Sequence, residues 1–393
     1  MDDLSIYHQN NLLFTEERLS KYRPGGYHPV SLGDTFKNGR YKVHHKLGWG
    51  GFSTVWLAFD GETKRWVALK IKTADSSKES HELQNLELLR ECSQGDLSAK
   101  YIVELLDSFT QDGPNGAHQC LVFELLGPSV GYVLRDYYEV GDELEVENIL
   151  RLSEQFLRAV AFIHSAGLGH GDISAANAAF SCSKLSHAQE NHILSIIGRP
   201  EIEELARLDG TPLSENLPKQ LVKAAQWDEW IDEDEEDIRI LDFGEAFQQG
   251  HEPERLAQPG NLRAPETILT ECFDYRVDLW RVGCMIYMLV FRTYPFQYIW
   301  DHEALVAQII GFVEELPTEW QEKWEDMKTK SEYELKPRDG QMSELERRFK
   351  EKVSDPELER LLEVMESLMR FLPGNRIEAS EALKSLKGGD PVS

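Results

Sequence analysis

The sequence predicts an α+β chain of two lobes, a small β-rich lobe followed by a larger, mainly helical one. Two observations carry this. From Tyr41 to Lys72 the residues alternate around glycines, as YKVHHKLG, STVWLAFD and RWVALKIK, which reads as an antiparallel meander with Gly61 in a turn. From Glu147 onward the spacing becomes helical, first in Ile149–Ser165, where Leu150, Leu157, Val160, Ala161 and Ile163 recur at helical intervals. Chains of this plan usually bind ligands in the cleft between the lobes.

The elements follow in order. Residues 1–40 read as an N-terminal extension that contains the turn-rich PGGYHPV. The small lobe covers about 41–126. It holds the meander, a helix over Glu82–Glu91 with Leu83, Leu86 and Leu89 on one face, and two strands near Ile102–Phe109 and Gln119–Phe123. The large lobe covers about 127–386, with later helices over Tyr275–Phe291, His302–Val313 and Glu357–Arg370, and 387–393 is a tail. Between about 182 and 237 the pattern lapses. This stretch is polar, carries Pro200, Pro212 and Pro218, and closes with eight acids from Asp228 to Asp237; it reads as an acidic insertion, mobile in part.

Composition narrows the partners. A formal charge of −27 argues against nucleic acid and anionic membrane, both of which present negative surfaces, and favours a basic protein or peptide. The five cysteines are scattered, odd in number and show no CxxC pairing, as expected of reduced thiols in an intracellular protein. The polar, acidic start MDDLSIYHQNN is no secretory signal, and the longest apolar run, Val282–Phe291, is too short to cross a bilayer. The expectation is a monomer of the cytoplasm, the nucleus or both.

Five motifs carry the chemistry, and their order matters more than any one of them. Gly48-Trp49-Gly50-Gly51-Phe52-Ser53-Thr54-Val55 is a glycine-rich strand turn whose backbone N–H groups can approach phosphates closely. Val67-Ala68-Leu69-Lys70 ends an apolar strand on a lysine placed to reach the α- and β-phosphates. That lysine needs an acidic partner, and Glu82 fits best, with Glu87 as the alternative. His170-Gly171-Asp172-Ile173-Ser174-Ala175-Ala176-Asn177 sets a carboxylate to accept a hydroxyl proton, and an amide five residues on to hold Mg²⁺. Leu241-Asp242-Phe243-Gly244 presents a second Mg²⁺ ligand, Asp242, and Ala264-Pro265-Glu266 closes the set.

Together these motifs resemble the eukaryotic protein kinases over about Tyr41 to Leu386. The resemblance implies a bilobal kinase fold and transfer of the γ-phosphoryl group of ATP to serine or threonine. It makes Asp172, Lys70 and Glu82 the catalytic set, and Asn177 and Asp242 the metal ligands. Leu47, Gly48, Trp49, Gly50, Gly51, Phe52, Ser53, Thr54, Val55, Ala68 and Lys70 would surround the nucleotide, with Glu124 and Leu126 at the adenine. It also implies that Asp278 braces the catalytic loop and that Arg376 pairs with Glu266. Within the superfamily, Gly25-Gly26-Tyr27-His28-Pro29-Val30, Gly33-Asp34, and the run from Lys46 through Trp56-Leu57 are similar to the SR-protein kinases, as in a divergent fungal-type member. That family carries a spacer ahead of its Asp-Phe-Gly segment and phosphorylates Arg/Ser-rich splicing factors.

Three departures stand out. Gly171 replaces the arginine that gathers a phosphorylated activation segment, so no such switch is expected. Ser174 replaces a lysine that touches the γ-phosphate, and Leu372-Pro373 lacks the usual aspartate. The change at Ser174 keeps open a rival reading, a pseudokinase that holds a partner or nucleotide without turnover. A small-molecule kinase is a third reading, since such enzymes also use His-Gly-Asp; Ala264-Pro265-Glu266 and Arg376 argue against it. Asp301, Glu303, Glu314 and Glu315 are candidate acids for binding a basic substrate.

Overall fold

The computed structural model describes residues 4–230, 233–256, 259–270, 272–298, 301–328 and 342–388, which fall into two units. The first joins Met1–Leu83, Val103–Pro128 and Phe180–Glu236; the second joins Gln84–Ile102, Ser129–Ala179 and Asp237–Ser393. Ile231 and Asp232 of the acidic run, and most of the tail read at 387–393, lie outside the described residues.

The first unit is built on six strands: β1 (Thr35–Phe36), β2 (Tyr41–Gly50), β3 (Ser53–Asp60), β4 (Arg65–Lys72), β5 (Leu105–Gly113) and β6 (Gly116–Glu124). Their order is β1-β2-β3-β4-β6-β5, with every neighbouring pair antiparallel. Side chains alternate across the sheet. One face sends Trp56, Ala58, Val67, Leu69, Ile71, Cys120 and Val122 into a closed core with Val30, Phe36 and Tyr41. Register then assigns the other face: Val55 lies opposite Lys70 and Leu57 opposite Ala68, so Val55, Ala68 and Lys70 point together away from that core. Gly50 pairs with Ser53, leaving Gly51-Phe52 as the tip between β2 and β3.

The extension and the insertion share a second core. Tyr7, Leu12, Leu13, Leu19, Tyr22 and Tyr27 pack with Leu205 and Leu221, and Val222 enters the core behind the sheet. The segment read as a polar insertion thus has secondary structure and buried apolar side chains of its own. Residues 182–230 contain a helix, Glu190–Ile197, with Ile193 and Ile197 buried, and an antiparallel ladder of Ile202–Glu204 on Gln220–Val222. The apolar side chains there are too sparse to set up a local period; they are paired instead with the extension, some 200 residues earlier. Even the acidic run is tied down: buried Glu236 accepts from the Ser181 and Ser183 hydroxyls at 2.5 and 2.9 Å.

The second unit is helical. The helix Val277–Phe291 is buried from Val277 to Val290, and it packs against Val146–Ser165 and Glu359–Leu368. Two helices differ from the expected spans. The one read to Val313 ends at Ile309, before Gly311 in a left-handed conformation (φ 79°). The one read over Glu357–Arg370 begins as a 3₁₀ turn at Pro356–Leu358 and becomes helical at Glu359–Leu368. A short ladder, Leu168–Gly169 on Phe247–Gln248, holds the segment before Asp172 to the segment after Asp242. No helix among the described residues is long and apolar enough to cross a membrane.

Candidate active site

In the first unit the glycine-rich turn is held from behind. The Tyr27 hydroxyl donates to the Gly50 carbonyl (2.5 Å), and the Phe52 carbonyl accepts from the Thr73 N–H (2.8 Å). Trp49 and Phe52 are exposed, while Leu47, Gly48 and Ser53 are half-buried. Lys70 Nζ donates to Glu82 Oε1 at 2.6 Å, so of the two acids weighed from the sequence Glu82 is the partner. Glu82 is 1% exposed, and its other oxygen accepts from Lys72 Nζ at 2.9 Å. Lys72 was not singled out in the sequence. Glu124 ends β6 and Leu126 begins the next short strand, in the same unit.

In the second unit the catalytic loop hangs on Asp278. Buried Asp278 accepts the His170 and Gly171 N–H groups at 2.7 and 2.9 Å, and His164 Nε2 lies at 3.1 Å. Burial works to raise its carboxyl, and the bonds from His164 and the His170 N–H outweigh it, so the group sits below the usual range. His170 is buried, which lowers its imidazole and keeps it neutral; Nε2 donates to Leu241 O (3.2 Å) and Nδ1 accepts from the Asp172 N–H (3.1 Å). The ring also meets Phe243 edge-on, so one histidine fixes both Asp172 and the Asp242 segment. Asp242 itself adopts a left-handed backbone, φ 64°, a conformation rare for a side chain outside special sites. Elsewhere in the unit Arg376 and Glu266 form a buried two-bond pair at 2.6 and 2.7 Å.

Asp172 is gripped on both oxygens. Asn177 Nδ2 donates to Oδ2 at 2.7 Å, and Arg281 Nη1 donates to Oδ1 at 2.9 Å. Because the amide nitrogen of Asn177 is turned to Asp172, its carbonyl oxygen is the atom left to face a cation. Asn177 and Asp242 thus offer the oxygen donors that a hard divalent ion prefers. Arg281 was not singled out in the sequence; a basic residue three positions after Asp278, in a helix otherwise apolar, was the signal available.

Gly171 also has a local reason. Its φ is +74°, and a Cβ there would lie 2.8 Å from the Glu245 carbonyl. Among the candidate substrate acids, Asp301 caps its helix by accepting from Glu303 N and Ala304 N, and Glu314 binds Arg370 and the Phe371 N–H. Those two are occupied with structure.

A family model described as "Protein kinase domain" matches residues 41–186 and 230–386. The chain belongs to the protein kinase family. This kinase is 30% identical over 328 residues to "Serine/threonine-protein kinase SRPK" of Physarum polycephalum, covering 75% of its own length and 72% of that relative. It is 42% identical over 166 residues to "Protein kinase dsk1" of Schizosaccharomyces pombe, and 39% over 167 residues to human "SRSF protein kinase 3". Those two matches span 41% of this chain and only 30% and 29% of the relatives. A solved kinase domain superposes with a TM-score of 0.62 over 92% of this chain and 98% of that one at 20% identity, which shows the shared fold. The relatives make this an SRPK-like serine/threonine kinase, and its family uses ATP with a divalent metal.

Proposed function

We propose that this kinase transfers the γ-phosphoryl group of ATP, with Mg²⁺, to serines in Arg/Ser-rich proteins. The observation that carries the reaction is the two-sided hold on Asp172, because a proton acceptor that must orient a hydroxyl needs a fixed carboxylate. The names of the relatives support the acceptor class, as does the charge of −27, which suits an Arg-rich peptide.

The roles divide by residue. Lys70, oriented by Glu82, neutralises phosphate oxygens, and the backbone of Gly48–Val55 covers them. Asn177 and Asp242 would hold Mg²⁺, whose chemistry is to offset negative charge on the phosphates. Asp172 aligns the serine hydroxyl and accepts its proton. The pair Lys70–Glu82 and the retained Asp172, Asn177 and Asp242 favour an enzyme over a nucleotide-binding scaffold. We place it in the cytoplasm or nucleus, acting as a monomer.

The test is transfer from labelled ATP to an Arg/Ser repeat peptide beside a Lys/Ser control, for wild type and Asp172→Ala. Transfer that prefers the Arg/Ser peptide and disappears in the variant supports the proposal. Binding of ATP without transfer to either peptide overturns it in favour of the scaffold.

A further inference from the structure

We infer that Arg281 is a positioning residue for phosphoryl transfer, supplying at the proton acceptor a fixed cation that this catalytic loop otherwise lacks. The inference rests on the reading of Asp172 as that acceptor. Position 174 carries no charge, and its use is local: Ser174 Oγ accepts the Asn177 N–H at 3.2 Å and so helps close the turn between the two functional residues. Position 171 disfavours any side chain, for the backbone reason given above. The loop therefore holds neither of the cations expected from the kinase pattern at those positions, and the arginine arrives from beneath, from the second turn of the helix Val277–Phe291.

The energetics single Arg281 out. Its side chain is 0% exposed, yet among the described residues only Nη1 is engaged, donating to Asp172 Oδ1 at 2.9 Å and, at a longer 3.5 Å, to the Ile173 carbonyl. Among the described residues, Nε and Nη2 are buried without a hydrogen-bond partner. Burying a guanidinium with unpartnered donors is unfavourable, and an apolar side chain of similar length would fill the same space at lower cost. A residue kept only to stabilise the helix packing would not be chosen this way. What the guanidinium provides is direction and charge at one carboxylate oxygen, while Asn177 fixes the other. The Asp172 carboxylate, 24% exposed, then has one orientation in which to meet an incoming hydroxyl.

The experiment compares Arg281→Met, Arg281→Lys and Asp172→Asn with wild type, reading kcat, KM for ATP and thermal unfolding midpoint. Arg281→Met should lose about 100-fold in kcat, the scale of one preorganised electrostatic group, with KM for ATP changed less than threefold. Its unfolding midpoint should stay at or above wild type, which a purely structural arginine would not allow. Arg281→Lys, which keeps the charge on a shorter stem, should recover about tenfold of that loss. Wild-type kcat in Arg281→Met overturns the inference, and so do Met and Lys variants that are equally impaired. If Arg281→Met does not fold, the role is structural and the inference fails on that result. Asp172→Asn separates the two levels: if it stays active, the reading of Asp172 falls, whereas an inactive Asp172→Asn beside an active Arg281→Met removes only the role of Arg281.

Discussion

Lys70 reaches Glu82 at 2.6 Å from β4, and Lys72, two residues on, takes the second oxygen of the same carboxylate at 2.9 Å. One buried acid thus serves two lysines with different tasks. Lys72 is 5% exposed on its side chain and bonds the Ser80 hydroxyl as well, so it braces Glu82 from within. Lys70, on the face turned from the core, is the one that can meet phosphate.

The first prediction follows from that asymmetry. Lys70→Met should lower kcat by about 10²–10³-fold, while Lys72→Met should cost stability and leave kcat within about tenfold. Steady-state kinetics with a urea titration of each variant decides it. Equal kinetic losses in the two variants would mean the tasks are not divided.

The second concerns the extension. Lys46, 1% exposed, donates to Glu16 Oε2 (3.0 Å), to Glu17 and to the Val222 carbonyl (3.1 Å). It therefore ties the extension and the insertion to β2, one residue before Leu47. Lys46→Met leaves two buried carboxylates without a cation and should cost about 3–5 kcal/mol. Limited proteolysis should then cut near Thr15–Arg18, where wild type resists; an unchanged digest would show that the second core holds without the lysine.

Much of the site was legible because its motifs are local: Gly48–Val55, Lys70, His170–Asn177 and Asp242 can each be read from a short contiguous string. Glu82 could be narrowed but not decided, since Glu87 lies on the same helix and only the partner distance separates them. Arg281 is 109 positions from Asp172, and no window of periodicity spans that. The same holds for Leu205 and Leu221 against Leu12 and Tyr22: their packing is set by tertiary pairing, so the segments looked like a loose extension and a polar spacer.

Gly171 gives the third prediction. Restoring the arginine common in other kinases, Gly171→Arg, should not create a switch. A left-handed backbone costs a residue with a side chain about 1–2 kcal/mol, and the approach of Glu245 O adds to it. Urea unfolding should show a loss of at least about 2 kcal/mol, with activity lowered; a variant as stable as wild type would contradict the geometry.

The last prediction is a pH dependence. His28, in the Gly25–Val30 motif, is largely buried against His118 with ring centroids 4.9 Å apart. Burial, and then the second histidine, push its imidazole down from 6.5 to about 4. His118 is lowered too, by burial, though its ring bonds the Lys72 carbonyl. Above about pH 6.5 both folded and unfolded chains hold His28 neutral, and its contribution is complete. As pH falls from there toward 4, the unfolded chain takes up a proton that the folded chain resists, so stability falls with pH across that window. The loss attributable to His28 is about 2 kcal/mol once its partial exposure is allowed for. Phenylalanine keeps a ring between Phe36 and His118 and cannot be protonated. His28→Phe should therefore lose less stability than wild type between pH 7 and pH 4.5 in urea titrations. Equal losses in the two proteins would show that His28 does not set the acid limb.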